Sequence, residues 1–83
     1  MNAVELPQFT WGDPEAERRV LLVHGLGSDK ATMWEIGEFF AVKGWFAVAV
    51  DQRGHGDAPR TNRYRIEDYA ADLLAVPTYH AWD

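Results

Sequence analysis

Two uninterrupted apolar runs organise the chain, Val20-Leu21-Leu22-Val23 and Trp45-Phe46-Ala47-Val48-Ala49-Val50. A run without polar alternation suits a strand covered on both faces, as in a parallel sheet. Between the runs, Thr32-Met33-Trp34-Glu35 has capping-box spacing, in which the Thr32 hydroxyl and the Glu35 carboxylate satisfy the first free amides of a helix. Ile36, Phe39 and Phe40 recur at helical spacing and are expected on its buried face, and Gly44 stands where a left-handed C-cap belongs. Gly37 inside this helix costs about 1 kcal/mol relative to alanine. Strand, helix and strand in that order predict a right-handed βαβ unit with its two strands parallel.

The flanks are less regular. Val4 to Trp11 alternates loosely and is rich in strand formers, but Pro7 restricts it to an edge strand or an irregular approach. Gly12-Asp13-Pro14-Glu15 reads as a turn. Beyond the loop from Gln52 to Tyr64, the positions Ile66, Tyr69, Ala70, Leu73 and Leu74 predict a second amphipathic helix that ends shortly before Pro77. Thr78 to Asp83 is too short for the pattern to assign.

Composition narrows the class. At 83 residues, a chain buries only about 60% of the surface its unfolded form exposes. Chains this small usually need a disulfide, a metal or a partner. Cysteine is absent, which removes a disulfide framework and any thiolate zinc site. With 47% hydrophobic residues, four Trp, four Phe and three Tyr, the chain carries the material of a packed core. The net charge of -5 and the lack of a basic stretch beyond Arg60, Arg63 and Arg65 argue against nucleic acid. The N-terminus lacks the pattern of a secretory signal, and no apolar run approaches the roughly 20 residues of a membrane span. A soluble cytoplasmic protein is expected, without a metal, membrane or nucleic-acid partner. The pattern specifies no oligomeric state.

Both apolar strands end in a polar residue followed by closely spaced glycines: His24-Gly25-Leu26-Gly27 and Asp51-Gln52-Arg53-Gly54-His55-Gly56. In open parallel sheets the crevice beyond the carboxyl ends of the strands is where ligands bind. The plain reading makes these glycines turn residues and nothing more. A nucleotide-binding reading has the right spacing, with Gly25-x-Gly27 ahead of a helix and Asp51 at the end of the next strand. Its chemistry is poor, because Lys30 occupies the place of the third glycine and Asp29 would stand beside the pyrophosphate. In the third reading, the first loop offers a backbone N–H to an oxyanion developing during acyl transfer, which asks for small flanking residues.

The stretches VLLVHGLGS, WFAVAVDQRGHGDA and IEDYAADLLAV, taken in order, resemble the N-terminal portion of the α/β-hydrolase superfamily. The motifs H-G-x-G and D-x-R-G-x-G carry the resemblance, which runs from about Val20 to Val76. It implies an α/β fold, here an incomplete βαβ unit of a mostly parallel sheet, and a hydrolase activity on a small-molecule substrate without a cofactor. It also implies that Leu26 donates an oxyanion-hole amide and turns its side chain to the substrate. Gly25 and Gly27 would let the backbone pass close to that substrate, and His24 would orient the loop without being the triad base. Asp51, Arg53, Gly54 and Gly56 are implied to be structural, a charged pair and glycines that hold the strand end beside the cleft. Asp51 is a poor candidate for the catalytic acid, since the order in this fold is Ser, acid, His.

Other residues attract less. Ser28 lies outside any G-x-S-x-G elbow, and His24, His55 and His80 lack metal-ligand spacing. Trp34 reads as a core or cleft-wall aromatic, and Tyr64 and Tyr69 as packing residues. The glycine after Leu26 leans towards esterases, because the related epoxide hydrolases and dehalogenases usually carry proline there. No G-x-S-x-G occurs in the 83 residues. The resemblance therefore implies that residues 1–83 are the N-terminal part of one hydrolase domain, ending in a loop, Thr78 to Asp83, just before the nucleophile strand, and inactive alone. On this reading the strand Val20–Val23 has an exposed edge. The alternative is a truncated remnant that binds a partner through that edge.

Overall fold

A computed structural model describes residues 3–80 and 82. The elements are β1 (Gln8–Trp11), β2 (Arg19–Val23), a 3-10 turn (Lys30–Met33), α1 (Trp34–Val42), β3 (Phe46–Val50) and α2 (Ile66–Tyr79). The sheet order is β1-β3-β2. β2 runs parallel to β3, from Arg19 opposite Phe46 to Val23 opposite Val50. β1 is the antiparallel edge strand, with Gln8 opposite Val50 and Trp11 opposite Ala47. This is the predicted βαβ unit, with the Pro7 segment feeding an edge.

The central strand β3 is buried at all five positions. Its residues alternate between two faces, as the pleat requires. Phe46, Val48 and Val50 pack with Leu6, Ala58 and Val76, against which Leu73 of α2 also rests. Ala47 and Ala49 face the other way, with Leu22, Met33 and Phe40. The two alanines leave room for α1 to lie close to the sheet.

Helix α1 departs from expectation at its start and on its face. The Thr32–Glu35 capping box does not form. Asp29 caps the preceding 3-10 turn instead, its Oδ1 accepting the Ala31 N–H at 2.9 Å, and Thr32 donates its hydroxyl to the Asp29 carbonyl at 2.9 Å. The residue ahead of α1 is therefore Met33, which supplies no side-chain cap. The buried face carries Gly37 and Phe40, while Ile36 and Phe39 are exposed, Phe39 by 59%. The reason lies in β1. The Trp11 indole covers Gly37 so closely that a Cβ there would overlap the ring. Gly44 follows the helix with φ +89°, as a left-handed terminator should.

Helix α2 also turns a different face inward. Asp68, Asp72 and Val76, spaced four apart, are buried, whereas Ile66, Ala70 and Leu74 point outward, Ile66 being 85% exposed. The helix continues through Pro77 to Tyr79. A proline in the last turn forfeits only the bond its N–H would have given to the Leu73 carbonyl, so the loss is small there. Thr78 and Tyr79 thus belong to the helix, and the loop expected over 78–83 falls partly at Ala81 and Asp83, outside the described residues. Among the described residues no strand pairs with the outer edge of β2, and no helix is long and apolar enough to cross a membrane.

Candidate functional site

Because β2 and β3 are parallel, the two glycine loops leave the sheet at the same edge. His24 is buried between them. Its Nδ1 lies 2.7 Å from the Gly25 carbonyl, which can only accept, so Nδ1 carries the proton. Its Nε2 is left to accept the Gln52 N–H at 3.1 Å, and the Gln52 side chain donates back to the His24 carbonyl at 2.9 Å. The histidine thus stitches the two strand ends together. Both its nitrogens are engaged.

The turn Gly25-Leu26-Gly27-Ser28 closes through the Ser28 N–H on the Gly25 carbonyl at 3.2 Å. Gly27 has φ +79°, the left-handed value a type II turn needs at its third position. Leu26 is 82% exposed. Among the described residues its N–H has no hydrogen-bond partner. Beside it opens a cleft of about 600 Å³ lined by His24, Leu26, Gln52, Tyr64, Ile66 and Tyr69. An exposed turn with a spare donor next to an apolar-walled cleft can receive a polarised carbonyl.

The second loop is held by two buried ion pairs, and they are not the pair expected. Asp51 and Arg53 do not bond to each other. Asp51 accepts both the backbone N–H and the ammonium of Lys30, each at 2.7 Å, and the Asp57 N–H at 2.9 Å. Burial works against its charge. The Lys30 ammonium and the Asp57 and Lys30 amides outweigh that, so the carboxyl is held below the ordinary aspartate range. Lys30 is likewise penalised by burial, yet Asp51 and Asp57 raise it above the ordinary lysine value. Arg53 pairs with Asp72 of α2, and the hydrogen bonds to that carboxylate raise its affinity for the proton. Both carboxylates are committed to the scaffold. Strand direction and sequence spacing bring a strand-end acid near its neighbour in the motif, but their buried partners, Lys30 and Asp72, lie one loop and one helix away.

The glycines of this loop answer to space. A Cβ on Gly54 would lie 2.6 Å from the Tyr64 ring, and one on Gly56 would overlap the Asp51 carboxylate. His55 stands between the loops. Its Nε2 accepts the Gly27 N–H at 3.0 Å and its Nδ1 donates to the Arg53 carbonyl at 3.0 Å. Sequence reasoning considered His55 only as a metal ligand. Its real signal was a histidine two residues from the loop's arginine, within reach of the partner loop.

Tyr64 and Tyr69 line the cleft instead of serving as packing alone. Trp34 lies elsewhere, edge-on to Phe9 and Trp11 at 5.2 and 5.3 Å between ring centres. Ser28 shares a hydroxyl contact with Thr32 at 3.2 Å on the surface. His80 sits across the sheet on Gln8, at 2.8 Å, where burial lowers its pKa. Among the described residues no three His, Asp or Glu side chains converge as a metal site.

A three-stranded mixed sheet with a helix crossover, and two glycine loops at one sheet edge, define part of an α/β-hydrolase. Comparison with known proteins makes this specific. A family model described as serine aminopeptidase, S33, matches residues 14–81. The chain belongs to this family of α/β-hydrolases. It is 36% identical over 63 residues to a pimeloyl-[acyl-carrier protein] methyl ester esterase of Neisseria meningitidis, a match covering 76% of this chain and 20% of that protein. Among solved structures, a marine microorganism esterase superposes with a TM-score of 0.83 at 22% identity, over 96% of this chain and 30% of the other. A haloalkane dehalogenase from Paraglaciecola agarilytica NO2 superposes with a TM-score of 0.85 at 20% identity, over 94% and 27%. The chain spans a fifth of the length of the curated relative it matches.

Proposed function

We propose that these residues form the N-terminal, oxyanion-binding segment of an ester hydrolase that works by nucleophilic attack. The serine, acid and base come from residues beyond the 83. The observation that carries the reading is the Leu26 N–H, without a partner among the described residues, on a residue that lines the cleft. In acyl transfer the carbonyl oxygen becomes an oxyanion. A donor already fixed in place stabilises it without reorganisation. Gly25, Leu26 and Gly27 provide that donor and the clearance around it, while His24, Asp51, Arg53, Gly54 and Gly56 keep the two strand ends in place. Leu26, Ile66, Tyr64 and Tyr69 give the acyl chain of a small ester an apolar wall. That the curated relative is a methyl ester esterase supports the ester class.

The test is turnover of an aryl ester by the complete protein and by its Leu26→Pro variant. Losing one oxyanion donor should lower kcat by roughly 100-fold, about 3 kcal/mol, with KM nearly constant. An unchanged kcat in a folded Leu26→Pro variant would overturn the assignment.

A further inference from the structure

We infer that His55 is a positioning residue of the acyl-transfer site, the clamp that decides which amide of the Gly25–Ser28 turn stays open; this rests on the oxyanion reading above. Packing does not hold the turn. A Cβ built on Gly25 or on Gly27 would meet nothing within 4 Å, and Leu26 is largely exposed. Its conformation therefore depends on hydrogen bonds. The turn makes one of its own, from the Ser28 N–H to the Gly25 carbonyl. Besides the His24 Nδ1 bond to that same carbonyl at 2.7 Å, a second comes from 28 positions along the chain, where His55 Nε2 accepts the Gly27 N–H at 3.0 Å.

That second bond matters because the peptide between Leu26 and Gly27 is the central unit of the turn. Type I and type II turns differ by a rotation of this unit, and glycine at the third position tolerates either. Rotation would swing the Gly27 N–H away from His55 and exchange the groups presented around Leu26. The imidazole fixes the type II form.

His55 is itself fixed. Nδ1 faces the Arg53 carbonyl, a pure acceptor, at 3.0 Å, so it carries the proton and leaves Nε2 bare for Gly27. Arg53 is in turn held by Asp72 through Nε at 2.7 Å and Nη2 at 2.9 Å. A chain of polar contacts thus runs from α2 through the second loop to the first. His24 cannot substitute, since both its nitrogens are engaged with Gly25 and Gln52.

The experiment compares His55→Ala with His55→Gln in the complete protein. A glutamine carbonyl can take the place of Nε2 as acceptor. His55→Ala should lower kcat by about tenfold, the scale of one lost hydrogen bond, with KM nearly unchanged. His55→Gln should recover most of that loss. In parallel, a ¹⁵N–¹⁵N coupling across the hydrogen bond between the Gly27 amide and His55 Nε2 should be present in the wild type and absent in His55→Ala. Wild-type kcat in His55→Ala, equal losses in both variants, or no coupling in the folded wild type would each overturn the clamp. Complete inertness of the wild type towards esters would overturn the hydrolase reading instead. The coupling would still decide whether His55 holds the turn.

Discussion

Arg53 and Asp72 form a bidentate pair, Nε to Oδ2 at 2.7 Å and Nη2 to Oδ1 at 2.9 Å, with side chains 2% and 1% exposed. Asp72 also accepts the Val4 N–H at 2.8 Å, and Arg53 Nη1 donates to the Arg63 carbonyl at 2.8 Å. The pair therefore joins the second glycine loop, α2 and the N-terminal segment. Arginine suits this place because its planar fork matches a carboxylate twice over.

Removing one partner is expected to cost far more than removing both. Arg53→Met leaves the Asp72 carboxylate buried without its cation and should lower stability by about 3–5 kcal/mol. The double variant Arg53→Met with Asp72→Leu should recover much of that, short of the lost Val4 bond. Urea unfolding of the two variants provides the comparison. A single variant within about 1 kcal/mol of wild type would mean that the pair is not sealed from water.

Acid should weaken the fold through Asp51. Its carboxyl is held below the ordinary range when folded, so the stability it contributes is complete above the unfolded value of about 3.9 and is lost as pH falls through and below it. In that window the unfolded chain binds more protons, and unfolding free energy rises with pH. Lys30 acts in the opposite direction. Its raised value keeps its contribution intact until pH climbs past the ordinary lysine range. Unfolding measured from pH 6 to pH 3 should show a shallower slope in Asp51→Asn than in the wild type. Equal slopes would contradict the pairing of Asp51 with Lys30.

The strands and both glycine motifs were legible because local chemistry sets them. Val20–Val23 and Phe46–Val50 have no polar residue to place in water, and parallel strands put their loops at one edge. Helix faces were less legible because partners distant in sequence choose them. Gly37 reads as a local cost, yet the Trp11 ring from β1 occupies the space its missing side chain leaves. On α2, Asp68 and Asp72 look like solvent positions. They are buried because Arg65 and Arg53 satisfy them, which a search for apolar periodicity passes over. The same distance hid the true partners of Asp51 and Arg53. The spare amide of Leu26 follows from backbone geometry, which no residue pattern spells out.

The central claim concerns one backbone donor, and a phosphonate adduct of the complete protein interrogates it directly. A phosphonylated nucleophile carries an oxygen where the tetrahedral oxyanion forms. Crystallography of that adduct should place the oxygen about 2.7–3.1 Å from the Leu26 nitrogen, with the Gly27 N–H still on His55. An oxygen bound by other donors, with the Leu26 amide turned away from it, would contradict the account.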